Sequence, residues 1–491
     1  MTDAVDPASL RLLRNSEPSP LYPASTATTA TSDFDDDHRA ANALNSLESG
    51  LDDDRGGDAH AKMMQHAKET YNSMDYWAFL LLGLAMLWPW NCFLSAAAYF
   101  QDRFKESEFL RENFQSFMMT TSTITATLTM LYLSHQQQHA SYTFRIWLAL
   151  ILNAINFTIL AIASITEEAW HIVVYFIYLL ISVFFSACAT SLSQNGAFAI
   201  ANLFTPVYTQ GIMVGQAIAG VLPSIAQIIS VVSVESSKAG EAGKASSASS
   251  FVYFLTATGV TVIAIFFYIS FYRRQRAVIN HGATVAGGYS APRFSGEFAD
   301  IAAAAEPERE YIPLTRLLKK LYFAAFAVFF TFGLTLMFPV FASTTLSVNY
   351  VEGETSINSW FRPNVYIPFA YLIWNAGDLA GRLVCGYPRL VMHSQKQMAV
   401  VAIARLLYIP LFFLCNINGE GAIISSDFFY MLLQFTFGLT NGYIGSCAMM
   451  NAESYVDDNE KEAAGGFMGL ALNLGLAAGS LSSFVLVAEI E

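Results

Sequence analysis

Charge is what this chain has least of. Charged residues fill 13% of its 491 positions, about half the share of an ordinary soluble protein. Long apolar runs stand in their place, which excludes a soluble globule around a single core. Cysteine is scarce as well. Cys92, Cys188, Cys385, Cys415 and Cys447 are the only five. Each sits in an apolar stretch, without zinc-site spacing or the setting of an extracellular disulfide, so they read as small packing residues. Catalytic signatures are missing: there is no Gly-x-Ser-x-Gly elbow, no His-Glu-x-x-His and no P-loop. Enzyme chemistry and ATP-driven pumping are therefore not expected, and neither is a metal or cofactor. No apolar segment follows a basic start at the amino end, so the first residues do not read as a signal peptide.

Hydrophobic residues make up 54% of the chain, Phe alone occurs 39 times, and the mean hydropathy is +0.40. A membrane-spanning helix needs about 20 mostly apolar residues. Eleven stretches qualify, near 77–100, 115–134, 146–165, 169–201, 207–233, 249–272, 318–346, 362–388, 396–416, 424–450 and 462–488. Helix is the required conformation, because an open strand would leave backbone groups unpaired in lipid. The expected fold is an all-α polytopic membrane protein with 11 transmembrane helices. Much of the formal charge of −13 lies in residues 1–76, where Asp35-Asp36-Asp37 and Asp52-Asp53-Asp54 stand among Ser, Thr, Ala and Gly. That segment reads as a disordered acidic tail. The polar tract 273–317 divides a six-helix half-bundle, 77–272, from a five-helix half-bundle, 318–491.

Most of the 26 Lys and Arg residues fall in the tail and in alternate loops counted from it, with the largest group in and beside 273–317. By the positive-inside rule the amino terminus and the central loop face the cytosol. The basic residues follow topology, so nucleic acid is not an expected partner; the lipid bilayer is. Asn156-Phe157-Thr158 spells a glycosylation sequon, but inside an apolar run it is not expected to be modified.

Polar groups inside spans carry the functional signal. In the eighth span, Asn375, Asp378 and Arg382 are spaced i, i+3, i+7 and share one helical face. A central charge costs roughly 2.5–3.5 kcal/mol to insert. The two must pair or line a wet cavity, as a strut between helices, as ligands for a solute, or as both. In the fourth span, Ser191, Ser193, Gln194 and Asn195 are either interhelical glue or, at Gln194, a donor and acceptor for a neutral heterocycle. In the first, Pro89 removes a backbone donor and kinks the helix. Trp90 then offers a stacking face and Asn91 a polar contact, or the group is a packing kink. Gly211, Gly215 and Gly220, and Gly465, Gly469, Gly475 and Gly479, are small faces for close packing, with Gln216 beside the first set. Asn441-Gly442-Tyr443 adds a polar group in the tenth span.

At these positions the chain resembles the equilibrative nucleoside transporter family. Pro89-Trp90-Asn91, Gln194, Pro206-Val-Tyr208 with Met213-Val-Gly215-Gln216 and Ala219-Gly220, Phe338-Pro339, Asn375-x-x-Asp378-x-x-Gly381-Arg382 and Asn441-Gly442-Tyr443 follow the family's motifs in order, over roughly 77–488. Leu82-Gly83-Leu84-Ala85-Met86-Leu87-Trp88 and the acidic tail look like fungal members, often vacuolar. Trp88, where many members have Leu, and Asn195-Gly196-Ala197 depart from the pattern and bear on substrate preference.

The resemblance implies a major-facilitator-like bundle of six plus five helices working as a monomer. It implies facilitated diffusion of nucleosides, with nucleobases as a second class, by alternating access. Asp378 and Arg382 would hold ribose hydroxyls, and Gln194 would read the base. Trp90 would wall the pocket, with Leu87, Asn91 and Leu94 nearby and Asn375 on the same face as the ion pair. A vacuolar or other endomembrane is implied, with the plasma membrane as the other host. The residues alone leave open a carrier of another small polar solute, a proton-coupled nucleoside symporter, and a membrane protein that binds without transporting. Arg382 beside Asp378 speaks against proton coupling.

Overall fold

The computed structural model describes residues 72–137, 140–166, 170–235, 242–285, 311–351 and 358–490. The acidic tail expected over 1–76 lies almost wholly outside them, as does 286–310 of the central tract. The described residues belong to one compact unit, His60–Glu491. Their regular secondary structure is helical, apart from one isolated bridge between Thr345 and Ile417.

Eleven helical segments follow the eleven apolar stretches in order, among the described residues. They are α1 (Ser73–Ser95), α2 (Glu108–His135), α3 (Tyr142–Ile165), α4 (Ile172–Ala201), α5 (Pro206–Glu235), α6 (Ala242–Val285), α7 (Leu314–Thr344), α8 (Pro363–Val384), α9 (Gln395–Ala404), α10 (Asp427–Met450) and α11 (Lys461–Ile490). A short helix, Ala97–Arg103, follows α1. Six of the long segments are apolar enough to cross a membrane by length and composition. Others carry more polar residues, α8 with Asp378 and Arg382 among them.

Local chemistry sets the helix starts. Asn72, Ser107, Ser141, Ser394 and Ser426 each accept a backbone N–H from the first turn that follows, which satisfies a donor the helix leaves unpaired. Pro206 and Pro363 stand at the first helical position, where a missing N–H costs nothing. The ninth segment is broken. After Ala404 the chain tightens into a 3-10 turn, Arg405–Leu407, before a short helix, Tyr408–Phe412. Pro410 has no N–H for the Leu406 carbonyl and crowds it.

Two boundaries differ from the sequence reading. Helix α1 begins at Ser73, inside the expected tail. Helix α6 runs on to Val285, well into the expected central loop. The two changes belong together: Arg274 in the extended part of α6 pairs with Asp75 in the first turn of α1 at 2.5 Å and donates to Asn72 Oδ1 at 3.2 Å. Arg, Gln and Ala in Arg273–Ala277 favour helix as well.

The side chains are arranged as lipid requires. Ile155, Ile159, Ile162, Ile177 and Ile181 are exposed on α3 and α4, while Asn153, Asn156, Ser182 and Ser186 are buried. Asn156 exchanges bonds with Ser182, as Nδ2 to its carbonyl and as Oδ1 from its hydroxyl, both at 3.0 Å. Facing inward in the bundle, the sequon asparagine is out of reach of modification.

The largest helix pairings are α8 with α10, α1 with α5 and α7 with α11. In the first, glycines alternate between partners. A Cβ at Gly377 or Gly381 would overlap the Phe435 or Leu439 carbonyl, and one at Gly438 or Gly442 would overlap that of Trp374 or Asp378. The two backbones run parallel and touch, which carries α10 side chains up against Asp378. Two seams join α1–α6 to α7–α11. One is α5 against α8; the other is α4, with α2, against α11.

Candidate functional site

The eighth-helix charges are paired. Arg382 Nε lies 2.8 Å from Asp378 Oδ2 one turn away, and the side chains are only 5% exposed. Each group has further partners. Asn441 Nδ2 donates to Asp378 Oδ1 at 2.7 Å, and Thr335 Oγ1 on α7 donates to Asn441 Oδ1 at 2.5 Å. Across the seam, Arg382 Nη1 donates to the Met213 carbonyl at 2.6 Å and to Gln216 Oε1 at 3.4 Å, both on α5. A carboxylate taken out of water needs several such partners to offset its lost hydration. The pair is therefore both a strut between the two sets of helices and a cluster of strong donors and acceptors at their junction.

From there, contacts lead to the other predicted residues. Gln216 Nε2 points to Met86 Sδ at 3.7 Å, and the Met86 carbonyl accepts Thr190 Oγ1 at 3.2 Å. Met86 precedes Leu87 and stands one turn before Trp90; Thr190 stands one turn before Gln194. Leu87, Trp90, Asn91 and Leu94 fall at i, i+3, i+4 and i+7, one face of α1. It continues the face on which Gly83 meets the Ile212 carbonyl of α5. Leu87, Trp90 and Asn91 are half-buried, and Leu94 is 46% exposed. Trp90 packs beside Phe93 with ring centroids 6.4 Å apart, and Asn91 Nδ2 donates back to the Leu87 carbonyl at 3.0 Å.

The polar run of the fourth helix divides by role. Ser191 Oγ donates to the Ala126 carbonyl of α2 at 3.2 Å, and Asn195 Oδ1 accepts Arg145 Nη1 of α3. These two are interhelical bonds. Gln194 is buried, and its Nε2 has no partner among the described residues. Asn375 Nδ2 crosses the α5 seam to Ser224 Oγ at 3.1 Å and also reaches the Tyr371 carbonyl at 2.9 Å.

Sequence reasoning passed over two buried groups. Arg405 donates to the Thr331 carbonyl at 2.8 Å and to the Phe437 carbonyl at 3.3 Å, and lies 4.4 Å from the Phe437 ring centroid. Its place inside an apolar stretch was the available signal. Asn473 on α11 is buried with Nδ2 unpartnered among the described residues. Its amide inside the apolar span 462–488 was the same kind of signal.

The model of the nucleoside transporter family matches residues 180–488, and the chain is 33% identical over 464 residues to nucleoside transporter FUN26 of Saccharomyces cerevisiae, with 86% of each chain covered. The chain belongs to the nucleoside transporter family. Within that family, equilibrative nucleoside transporter 1 of Homo sapiens is 27% identical over 453 residues, covering 83% of this chain and 95% of the human one. Among solved structures, the major facilitator superfamily proton:xylose symporter XylE aligns with a TM-score of 0.53 at 10% identity, covering 85% of this chain and 88% of that one. The human organic anion transporter MFSD10 aligns with a TM-score of 0.50 at 14% identity, covering 86% and 96%. The fold of this family member is thus the all-helical bundle expected from its apolar stretches, with the major-facilitator-like form that the family resemblance implied.

Proposed function

We propose that this protein moves nucleosides, with nucleobases as a second class, across its membrane by alternating access. The observation that carries this is the Asp378–Arg382 pair, held at 2.8 Å inside α8 while Arg382 reaches over to Met213 and Gln216 on α5. Separating α5 from α8 strips Arg382 of those two acceptors. A solute with vicinal hydroxyls replaces them, donating to the carboxylate and accepting from the guanidinium, as a ribose does. Charge-assisted bonds of this kind are roughly twice as strong as neutral ones, and both charges keep a partner in every state. In this reading Asp378 and Arg382 take the sugar, with Asn375 beside them, and Gln194 meets the base. Leu87, Trp90, Asn91 and Leu94 wall the space between.

Asn202 to Lys461, Gln210 to Arg382 and Ser224 to Asn375 are further bonds across the two seams. They support a state closed at the end where α1, α5, α7 and α11 begin. The bias of Lys and Arg supports placing that end in the cytosol with the amino terminus. The tail's likeness to fungal members supports a vacuolar or other endomembrane. One chain supplies every group the pathway needs, which supports a monomer as the working unit.

The test is radiolabelled uridine and adenosine uptake into liposomes holding the purified full-length chain, with and without a pH gradient, and with glucose as a competitor. Saturable uptake that glucose does not compete and the gradient does not drive is expected. Asp378→Ala and Arg382→Ala should each cut flux more than about tenfold, since either leaves a buried charge unpaired. Gln194→Ala should raise the half-saturating concentration more than it lowers maximal flux. Normal flux in both charge variants would remove the basis of this assignment.

A further inference from the structure

Three buried side-chain amides have an unpartnered N–H among the described residues: Gln434 on α10, and two that lie on adjoining helices, Gln194 and Asn473. Gln194 Nε2 on α4 and Asn473 Nδ2 on α11 lack hydrogen-bond partners among the described residues, although the residues are only 3% and 8% exposed. Sealing an N–H without an acceptor costs about 1–3 kcal/mol, so such groups are uncommon in a finished core. Of the neighbouring polar residues, Ser191 and Asn195 have partners on α2 and α3, while Ser193 Oγ is unpartnered among the described residues, as Gln194 Nε2 is.

The amides of Gln194 and Asn473 also lie along one seam. Gly465, Gly469 and Asn473 follow at i, i+4 and i+8 on α11, a single stripe. A Cβ on Gly465 would overlap the Phe198 carbonyl of α4, and one on Gly469 would stand 3.8 Å from Gln194 Cγ and 3.9 Å from Gln194 Nε2. Asn473 occupies the next turn of that stripe. The far side of α11, at Gly475 and Gly479, is pressed on α7 instead, against Phe329 and Gly333.

We infer that Asn473 is a second base-recognising residue, and that its amide and that of Gln194 together take the acceptor edge of a nucleobase. The inference rests on the nucleoside reading above and adds to it a specificity-determining residue on α11. Two free N–H donors call for ring nitrogens or carbonyl oxygens, and the base end of a nucleoside carries both. A sugar at α8 and a base at the α4–α11 seam lie at the two ends of the contact path that runs from Arg382 through Gln216 and Met86 to Thr190.

The experiment uses the full-length chain in liposomes and compares adenosine with its 1-deaza, 3-deaza and 7-deaza analogues, each lacking one ring acceptor, and with 2′-deoxyadenosine. In the wild type at least one deaza analogue should raise the half-saturating concentration about fivefold or more. In Asn473→Ala that penalty should shrink to under about twofold while the 2′-deoxy penalty stays unchanged; Asn473→Ser should fall between. A purely structural role for Asn473 would weaken every substrate alike and leave the ratios where they were, and that result overturns the inference. Wild-type protein that takes all three deaza analogues as readily as adenosine overturns it without any variant. Wild-type liposomes that take up no nucleoside reject the functional reading itself, and this assignment with it.

Discussion

At the scale of single residues, the cost of burial sorts strut from ligand. Arg405 is a strut: its guanidinium ties α9, just where that segment breaks, to carbonyls on α7 and α10. Only a planar fork reaches two acceptors on two helices from one position. Arg405→Lys keeps the charge and loses one of those bonds, at a cost of about 1.5–3 kcal/mol. Arg405→Met removes both the bonds and the buried charge, an exchange that is often neutral. The lysine variant should therefore melt at a lower temperature than the methionine variant in the same detergent; the reverse order would show that the charge matters more than the geometry. Gln194 lies at the opposite extreme, buried and unbonded. The sequence showed it only as one of four polar residues within Ser191–Asn195, because which of the four meets α2, α3 or nothing depends on helix rotation.

At the scale of elements, glycine decides how closely helices pack. Helices α8 and α10 touch backbone to backbone at Gly377, Gly381, Gly438 and Gly442, whereas Gly259 on α6 has nothing within 4 Å of where its Cβ would stand. Adding the same methyl group therefore has opposite consequences. Gly438→Ala should force α8 and α10 apart and lower the melting temperature by several degrees, with loss of transport, because Asn441 would no longer sit against Asp378. Gly259→Ala should be neutral or stabilising by up to about 1 kcal/mol, since Ala costs the helix less than Gly. Equal melting curves for the two variants would contradict the packing described. The sequence shows both residues as glycines in apolar helices. The family resemblance marked Gly381 and Gly442 within motifs, but the alternation with Gly377 and Gly438 exists only once two particular helices are paired.

At the scale of the whole molecule, every group assigned to the solute path belongs to α1, α4, α5, α8, α10 or α11. A chain lacking residues 1–70 should accordingly keep its nucleoside flux in liposomes within about twofold of full length, as the acidic, weakly apolar composition of that segment predicts. A large fall in flux would give the tail a part in transport. The amino-acid sequence by itself determined the all-helical class, the run of apolar segments and the shared face of Asp378 and Arg382, where the two charges must pair or line a wet cavity. These depend on composition, on the 3.6-residue period and on the cost of leaving charge or backbone unpaired in lipid, all of which are local. It could not determine that Arg382 spends its other bonds on α5, that α6 extends to meet Asp75, or that Gln194 and Asn473 lie along one seam without partners. Those facts depend on which helices become neighbours and how each is rotated, and only close packing of the folded chain settles that.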